Sequence, residues 1–85
     1  MPSKTVTVGS SVGLHARPAA LISEAAAELD SEVTIGLVGE EPVDAASSLL
    51  IMTLGASHGD SVEVSSDDQA AVDAIAALVE KDLDA

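Results

Sequence analysis

Three stretches of the chain alternate between apolar and polar residues, and this period of two predicts β-strands. Residues 4–8, 31–37 and 61–65 are also rich in Val, Ile, Thr and Ser, with the β-branched residues favouring strands. Val43 and Asp44 follow a turn at residues 39–42 and predict a short strand that pairs back on the second one. Because Pro42 has no N–H to donate, we expect this short strand at an edge of the sheet.

Residues 16–29 repeat apolar side chains at intervals of three and four, which predicts an α-helix that begins at His15 or Ala16. Ser23, Glu24 and Glu28 lie mostly on the opposite side. The stripe expected to face the core consists of Leu21, Ile22, Ala25, Ala26 and Leu29.

The same spacing near the end of the chain predicts a last helix that runs to about Asp82. Ser66 and Gln69 have the spacing of a capping box, in which each side chain bonds a free N–H at the helix start. The stripe expected to face the core consists of Val72, Ile75, Ala76, Val79 and Leu83.

An apolar run at residues 45–54 is compatible with a buried strand or a short helix. Ser47 is a good N-cap residue, and Gly55 stands where a helix often ends in a left-handed residue. We therefore predict a short helix. The order of elements becomes β-α-β-β-α-β-α.

The predicted fold is α/β (α+β), a four-stranded antiparallel sheet with three helices on one face, because each strand has one apolar side to cover. No repeat or linker interrupts the pattern, so we expect a single domain over residues 1–85. The pattern alone does not distinguish this arrangement from a ferredoxin-like βαββαβ domain.

The composition narrows the function classes. A hydrophobic fraction of 47% and a mean hydropathy of +0.37 exclude a disordered tail. Without cysteine there is no disulfide or thiolate site, and two histidines are too few for a strong metal cluster, so we expect neither a metal nor a cofactor. The N-terminus has no apolar run that would form a signal peptide or membrane span. We expect a cytoplasmic monomer.

The net charge of −12 comes from 15 acidic residues against Lys4, Arg17 and Lys81. Nucleic acids and anionic membranes would be repelled, so the expected partners are proteins. Two explanations of the acidity stay open: an ordinary acidic protein, or a cytoplasm of high salt that screens the repulsion.

The candidate chemistry lies where a predicted flexible loop at residues 9–13 meets the first helix. The free N–H groups of Ala16, Arg17 and Ala19 are expected to point out of the helix end and to bind an anion such as phosphate. Arg17 adds a charge suited to phosphoryl oxygens, and His15 is a nucleophile near neutral pH. Pro18 fits the first helical turn. These residues predict a reversible phosphohistidine on His15; a surface histidine that merely caps the helix is the alternative.

The segment Gly-Leu-His-Ala-Arg-Pro-Ala at residues 13–19 resembles the active-site signature of HPr, the histidine-containing phosphocarrier of the phosphoenolpyruvate-dependent sugar phosphotransferase system. Ser47, the apolar run after it and Leu54-Gly55 resemble a second HPr motif. The resemblance covers nearly the whole chain and implies the open-faced sandwich fold.

The resemblance also implies the function of a phosphocarrier without stand-alone enzyme activity. Phosphorylated enzyme I would donate to Nδ1 of His15, and His15 would pass the group to a histidine of a sugar-specific enzyme IIA. Ser47 matches a serine that is phosphorylated for regulation in some lineages, which would add a serine kinase or a transcriptional regulator as a partner. Leu49 and Leu50 are candidates for the apolar docking surface.

Two other functions are alternatives to this one. A regulatory protein of the same fold would signal sugar status without carrying flux, but the presence of both His15 and Arg17 argues against it. A ferredoxin-like ligand-binding or interaction domain would use His15 only as a helix cap. The second histidine, His58, lies in a turn-like segment and is expected to be a solvated surface residue.

Overall fold

The computed structural model describes residues 2–11 and 13–81 and contains four strands and three helices in the predicted order. Most predicted boundaries differ from the observed ones by one or two residues. The elements are β1 (Ser3–Thr7), α1 (Ala16–Ala27), β2 (Val33–Leu37), β3 (Val43–Asp44), α2 (Ser48–Thr53), β4 (Ser61–Ser66) and α3 (Gln69–Glu80).

The strands form one antiparallel sheet in the order β1-β4-β2-β3. The two-residue strand β3 lies at an edge, directly after Pro42, as predicted. The strand that fills the gap between β1 and β2 is β4, whereas a ferredoxin-like sheet has its third strand there. This strand order therefore removes the ferredoxin-like alternative.

Pairing between strands puts the apolar residues of the sheet on one side. Val6 faces Val62 across β1 and β4, and Ile35 faces Val64 across β2 and β4; all four are buried. Thr5 and Glu63, which alternate with these residues, are exposed on the other side. The helices cover the buried side, with α3 against β1 and β4 and α1 against both other helices. The predicted open-faced sandwich is confirmed.

Helix α1 buries the predicted stripe wholly or partly against the core, except at Leu21. Leu21 is 38% exposed, and Ser23, which is predicted to face solvent, is buried. The buried small side chains of α1, such as Ser23, let the helix lie close to its neighbours. The Ser23 hydroxyl is satisfied in this position because it donates a hydrogen bond to the Ala20 carbonyl at 3.0 Å. The residues of α1 that are buried are Pro18, Ala19, Ile22, Ser23 and Ala26.

Helix α3 begins differently from the prediction as well, because the capping box of Ser66 and Gln69 is wrong. Ser66 is still part of β4, and the N-cap is Asp68, whose Oδ1 accepts from the Ala70 N–H at 3.0 Å. The Gln69 amide instead donates to Asp73 at 2.9 Å. The predicted stripe is buried from Val72 to Val79, while Asp82 and Leu83 lie outside the described residues.

Within residues 2–11 and 13–81, no helix combines the length and the apolar character that crossing a bilayer requires.

Candidate functional site

The N-terminus of α1 is formed by His15, whose backbone is still extended while the helix starts at Ala16. The exposed imidazole makes no capping hydrogen bond to the helix, so its ring is available to another group. Pro18 falls in the first helical turn, as predicted, and its ring is buried. The sequence thus holds the backbone of His15 firmly and leaves its side chain in solvent.

Two backbone amides remain open beside this imidazole. Neither the Ala16 nor the Arg17 N–H has an acceptor among the residues that the structure describes. The expectation that the Ala19 amide is also free is wrong, because it donates to the His15 carbonyl at 2.9 Å and closes the first turn of the helix. The positive end of the helix dipole therefore presents two donors next to His15.

The loop before His15 is anchored on both sides. Leu14 is buried, and its N–H donates to the Ala56 carbonyl at 3.0 Å. Gly13 has φ of +75°, and a Cβ at this position would collide with the Ala56 carbonyl oxygen. Gly9 also donates to the Val79 carbonyl at 3.0 Å, which ties the loop to the end of α3. Gly9 and Leu14, on either side of the predicted loop, are thus both bonded to the rest of the fold.

Arg17 lies two residues after His15 and is exposed, with no ion pair or hydrogen bond inside the described part of the chain. No acidic residue lies in the first turn of α1. The sequence contains no acidic residue before Glu24, and this absence is a second signal of an anion site besides the motif itself. The guanidinium is therefore not neutralised by a neighbouring carboxylate.

Ser47 occupies the N-cap of α2, as predicted, where its Oγ accepts from the Leu50 N–H at 3.3 Å. The helix ends next to Gly55 with φ of +66°, also as predicted. The structure packs α2 against α1. It brings His15, Ala16 and Arg17 together at one helix end and puts Ser47 at the end of a neighbouring helix.

Three leucines stand out of these two helices into solvent. Leu49 is 72% exposed and Leu50 is 41% exposed, as the docking interpretation requires, while Ile51 between α2 and the core is fully buried. Leu21 joins them on α1, although its spacing had predicted a core position. The three exposed leucines lie on α1, which begins next to His15, and on α2, which packs against α1.

Other candidate sites are less suited to chemistry. His58 is exposed in a turn where the Ser57 N–H donates to Asp60 Oδ2 at 2.8 Å. No cluster of three His, Cys, Asp or Glu residues suited to a metal occurs within residues 2–11 and 13–81. A shallow recess of about 290 Å³ lies at the C-terminal end of α1, lined by residues of 26–33 with Asp44 and Ala46, and it includes none of the site residues.

Comparison with known proteins gives a consistent result. The family profile described as "PTS HPr component phosphorylation site" matches residues 2–81. The phosphocarrier protein HPr of Streptomyces coelicolor is 39% identical over 87 residues, which cover 99% of this chain and 94% of the relative. The HPr of Haloferax volcanii is 41% identical over 76 residues and 85% of each chain.

Solved structures agree with these sequence matches. A crystal structure of HPr-C-His from Thermoanaerobacter tengcongensis superimposes with a TM-score of 0.88 at 33% identity and covers 100% of this chain and 98% of its own. An HPr crystal structure from Bacillus anthracis gives a TM-score of 0.84 at 32% identity, with 92% and 95% covered.

Proposed function

The chain belongs to the HPr family of phosphocarrier proteins of the phosphotransferase system, and from this premise we propose that His15 is the residue that carries the phosphoryl group. The donor in this proposal is a phosphorylated enzyme I, and the acceptor is a histidine of a sugar-specific enzyme IIA. The exchange takes place in the cytoplasm, with the carrier as a monomer.

The observation that carries this proposal is the open N-terminus of α1. An imidazole without an internal partner lies beside two backbone amides and an unpaired guanidinium. A structural histidine at a helix end would be expected to cap the helix or to pack against a neighbour. This one does neither, and the groups around it suit an anion attached to the ring.

In the first half-reaction, the lone pair of His15 Nδ1 attacks the phosphorus atom while the bond from phosphorus to the donor breaks and its electron pair leaves with the donor. The second half-reaction reverses these events toward enzyme IIA. During both transfers the Ala16 and Arg17 amides donate to phosphoryl oxygens, and the Arg17 side chain offsets their charge. Such preorganised donors stabilise the charge that the transferring group carries.

A carrier has to release the group as readily as it accepts it. A deep cage would stabilise the phosphorylated state and slow the second transfer, since only stabilisation specific to the transition state accelerates a reaction. Exposure of His15 and Arg17 supports a site of moderate strength that both partners can reach. Leu49, Leu50 and Leu21 supply the apolar contact of a small, transient interface.

The test is incubation of the native chain with enzyme I and phosphoenolpyruvate, followed by detection of a phosphate that is labile to acid and stable to base. We expect one such phosphate per chain, none on His15→Ala, and an undiminished amount on His58→Ala, the matched control for the other exposed histidine. Phosphate uptake by folded His15→Ala would contradict the proposal.

Ser47 is a second candidate for modification, with a regulatory role. Its N-cap position is favourable for a phosphate, because the N-terminus of a helix tolerates negative charge, and it lies beside exposed Leu49 and Leu50. We propose that a phosphate here would leave the fold intact and weaken docking. A serine kinase or a transcriptional regulator would be the additional partner.

A further inference from the structure

The acidic residues are distributed unevenly along the chain. All 15 lie within residues 24–44 and 60–84, while residues 1–23 and 45–59 contain none. The two acid-free segments nevertheless hold both histidines and two of the three basic residues. A chain of net charge −12 therefore excludes carboxylates from two separate parts of its sequence.

The fold brings these two segments together. The Leu14 N–H bonds the Ala56 carbonyl at 3.0 Å, Gly13 lies in contact with Ala56 and Ser57, and α1 packs on α2. We call the described residues of 13–23 and 45–59 the acid-free face. Arg17 is its single Lys or Arg, and its exposed large apolar residues are Leu21, Leu49 and Leu50.

Carboxylates at the margin of the acid-free face are held by the backbone. Asp44 Oδ1 accepts from the Ala46 N–H at 2.9 Å, and Asp60 Oδ2 accepts from the Ser57 N–H at 2.8 Å. On α1 the exposed positions change from Ala16, Arg17 and Ala20 at the His15 end to Glu24, Ala27 and Glu28 at the far end. The negative charge thus begins where the acid-free face stops.

We infer that the acid-free face binds a partner that is itself strongly acidic, and that added salt strengthens this association. The inference rests on the proposed function and specifies the chemistry of the partner. A basic partner would be drawn toward the carboxylates of residues 24–44 and 60–80, away from His15. An acidic partner is repelled from those regions and meets the least repulsion at the acid-free face.

The phosphoryl group alone does not account for this distribution. It would require the absence of carboxylates near His15, but the acid-free face extends along α2, whose exposed leucines bind no anion. An apolar docking surface on an acidic protein explains why carboxylates are absent both near His15 and along α2. Because attraction comes from apolar contact and the long-range force is repulsive, screening by salt should increase association, the reverse of a pair held by opposite charges.

The experiment measures the second-order rate constant for phosphorylation of His15 by the cognate enzyme I, at KCl concentrations from about 0.1 M to about 1 M, across which the Debye length falls from about 10 to about 3 Å. For the native chain we expect a rise of about tenfold, within the range that long-range electrostatics imposes on association rates.

Three variants locate the effect. Ala20→Glu adds a carboxylate to the acid-free face, Ala27→Glu adds the same charge to the same exposed side of α1 about 10 Å away, and Ala20→Gln adds a similar volume without charge. At about 0.1 M KCl we expect Ala20→Glu to slow phosphorylation about tenfold, Ala27→Glu to stay within about twofold of native, and Ala20→Gln to slow it less than Ala20→Glu by an amount that salt does not change. Spontaneous hydrolysis of the phosphohistidine should be unchanged in Ala20→Glu, since the effect is on docking.

Three results would overturn the inference and leave His15 as the carrier. They are a rate constant that falls as salt rises, equal effects of Ala20→Glu and Ala27→Glu, and a cognate enzyme I of net positive charge. Transfer to a residue other than His15, or no transfer at any salt concentration, would overturn the proposed function together with it. The two failures are therefore distinguishable.

Discussion

The N-termini of α1 and α3 treat their first backbone N–H groups in opposite ways: those of α3 are capped by a side chain, and those of α1 are left open. At α3, Asp68 caps the helix through the Ala70 N–H, and the Ser66 hydroxyl accepts from the Asp68 N–H at 3.3 Å. At α1, His15 stands in the cap position and its side chain makes no capping hydrogen bond, while the Ala16 and Arg17 amides have no acceptor among the described residues. Both helices are 12 residues long.

This difference separates a structural helix end from one kept open for a ligand. A side-chain cap stabilises a helix by about 0.5–2 kcal/mol, and Ser, Thr, Asp or Asn would supply it at position 15. The chain uses such caps at Ser47 and Asp68 and omits one at His15. The N-terminus of α1 therefore lacks the stabilisation of a side-chain cap, and the proposed phosphoryl group would occupy the place of that cap.

The largest expected effect comes from giving α1 the kind of cap that α3 has. His15→Asp should abolish phosphorylation by enzyme I and raise the free energy of unfolding by about 0.5–2 kcal/mol relative to His15→Ala, because the new carboxylate accepts from the open amides. Urea denaturation and the phosphorylation assay measure the two effects. Equal stability of the two variants would show that the amides at this end are not available.

Arg17→Ala should slow transfer without preventing it, since the two amides remain and only the charge-assisted contact is lost. We expect a decrease of about tenfold to a hundredfold in the rate of phosphorylation, equivalent to about 1.5–3 kcal/mol. Arg17→Lys keeps the charge without the planar fork and should lie between native and Arg17→Ala. Unchanged rates in both half-reactions for Arg17→Ala would identify Arg17 as a solvated surface cation.

Removal of the cap at α3 provides the converse test. Asp68→Ala should lower the free energy of unfolding by about 1 kcal/mol, or a melting temperature by about 4–8 °C for a domain of this size, because the Ala70 N–H loses its acceptor. Phosphorylation of the folded variant should proceed at the native rate. A slower rate would mean that the two helix ends are not functionally separate.

The smallest effect is expected at α2, where Ser47→Asp keeps a cap and adds a charge to the acid-free face. Stability should change by less than about 0.5 kcal/mol. The Michaelis constant for the carrier in the enzyme I reaction should rise, and less so at high salt. Ser47→Asn is the matched control, with nearly the same shape and no charge. If Ser47→Asp and Ser47→Asn raised the Michaelis constant equally and salt did not alter the effect, the shape of the side chain and not its charge would be the cause.

The spacing of apolar residues was sufficient to predict most elements of the fold. Alternation located the strands, and the Pro42 argument put β3 at the sheet edge. Alternation could not predict which strands pair, because a period of two indicates which side of a strand is buried and not which strand lies next to it. The position of β4 between β1 and β2 depends on long-range packing, and the structure was needed to distinguish it from a ferredoxin-like order.

Errors in the helices have local physical causes. Leu21 was predicted in the core because hydrophobicity was counted without volume, whereas small Ala19 and Ser23 allow α1 to pack closely and turn Leu21 outward. The predicted capping box failed because Ser66 still belongs to β4 and Asp68 is a competing cap. At the site, the motif located His15 and Arg17, but which amides are open depends on the first helical bond from Ala19.

The central claim is that the open amides of α1 receive the phosphoryl group carried by His15. The most direct measurement is a comparison of amide ¹H–¹⁵N spectra of the native chain before and after phosphorylation by enzyme I. We expect the Ala16 and Arg17 amide protons to move downfield, as new hydrogen-bond donors do, while the Leu50 and Ala70 amides at the capped helix ends stay in place. A phosphate on His15 that leaves the Ala16 and Arg17 amides unshifted would contradict the account.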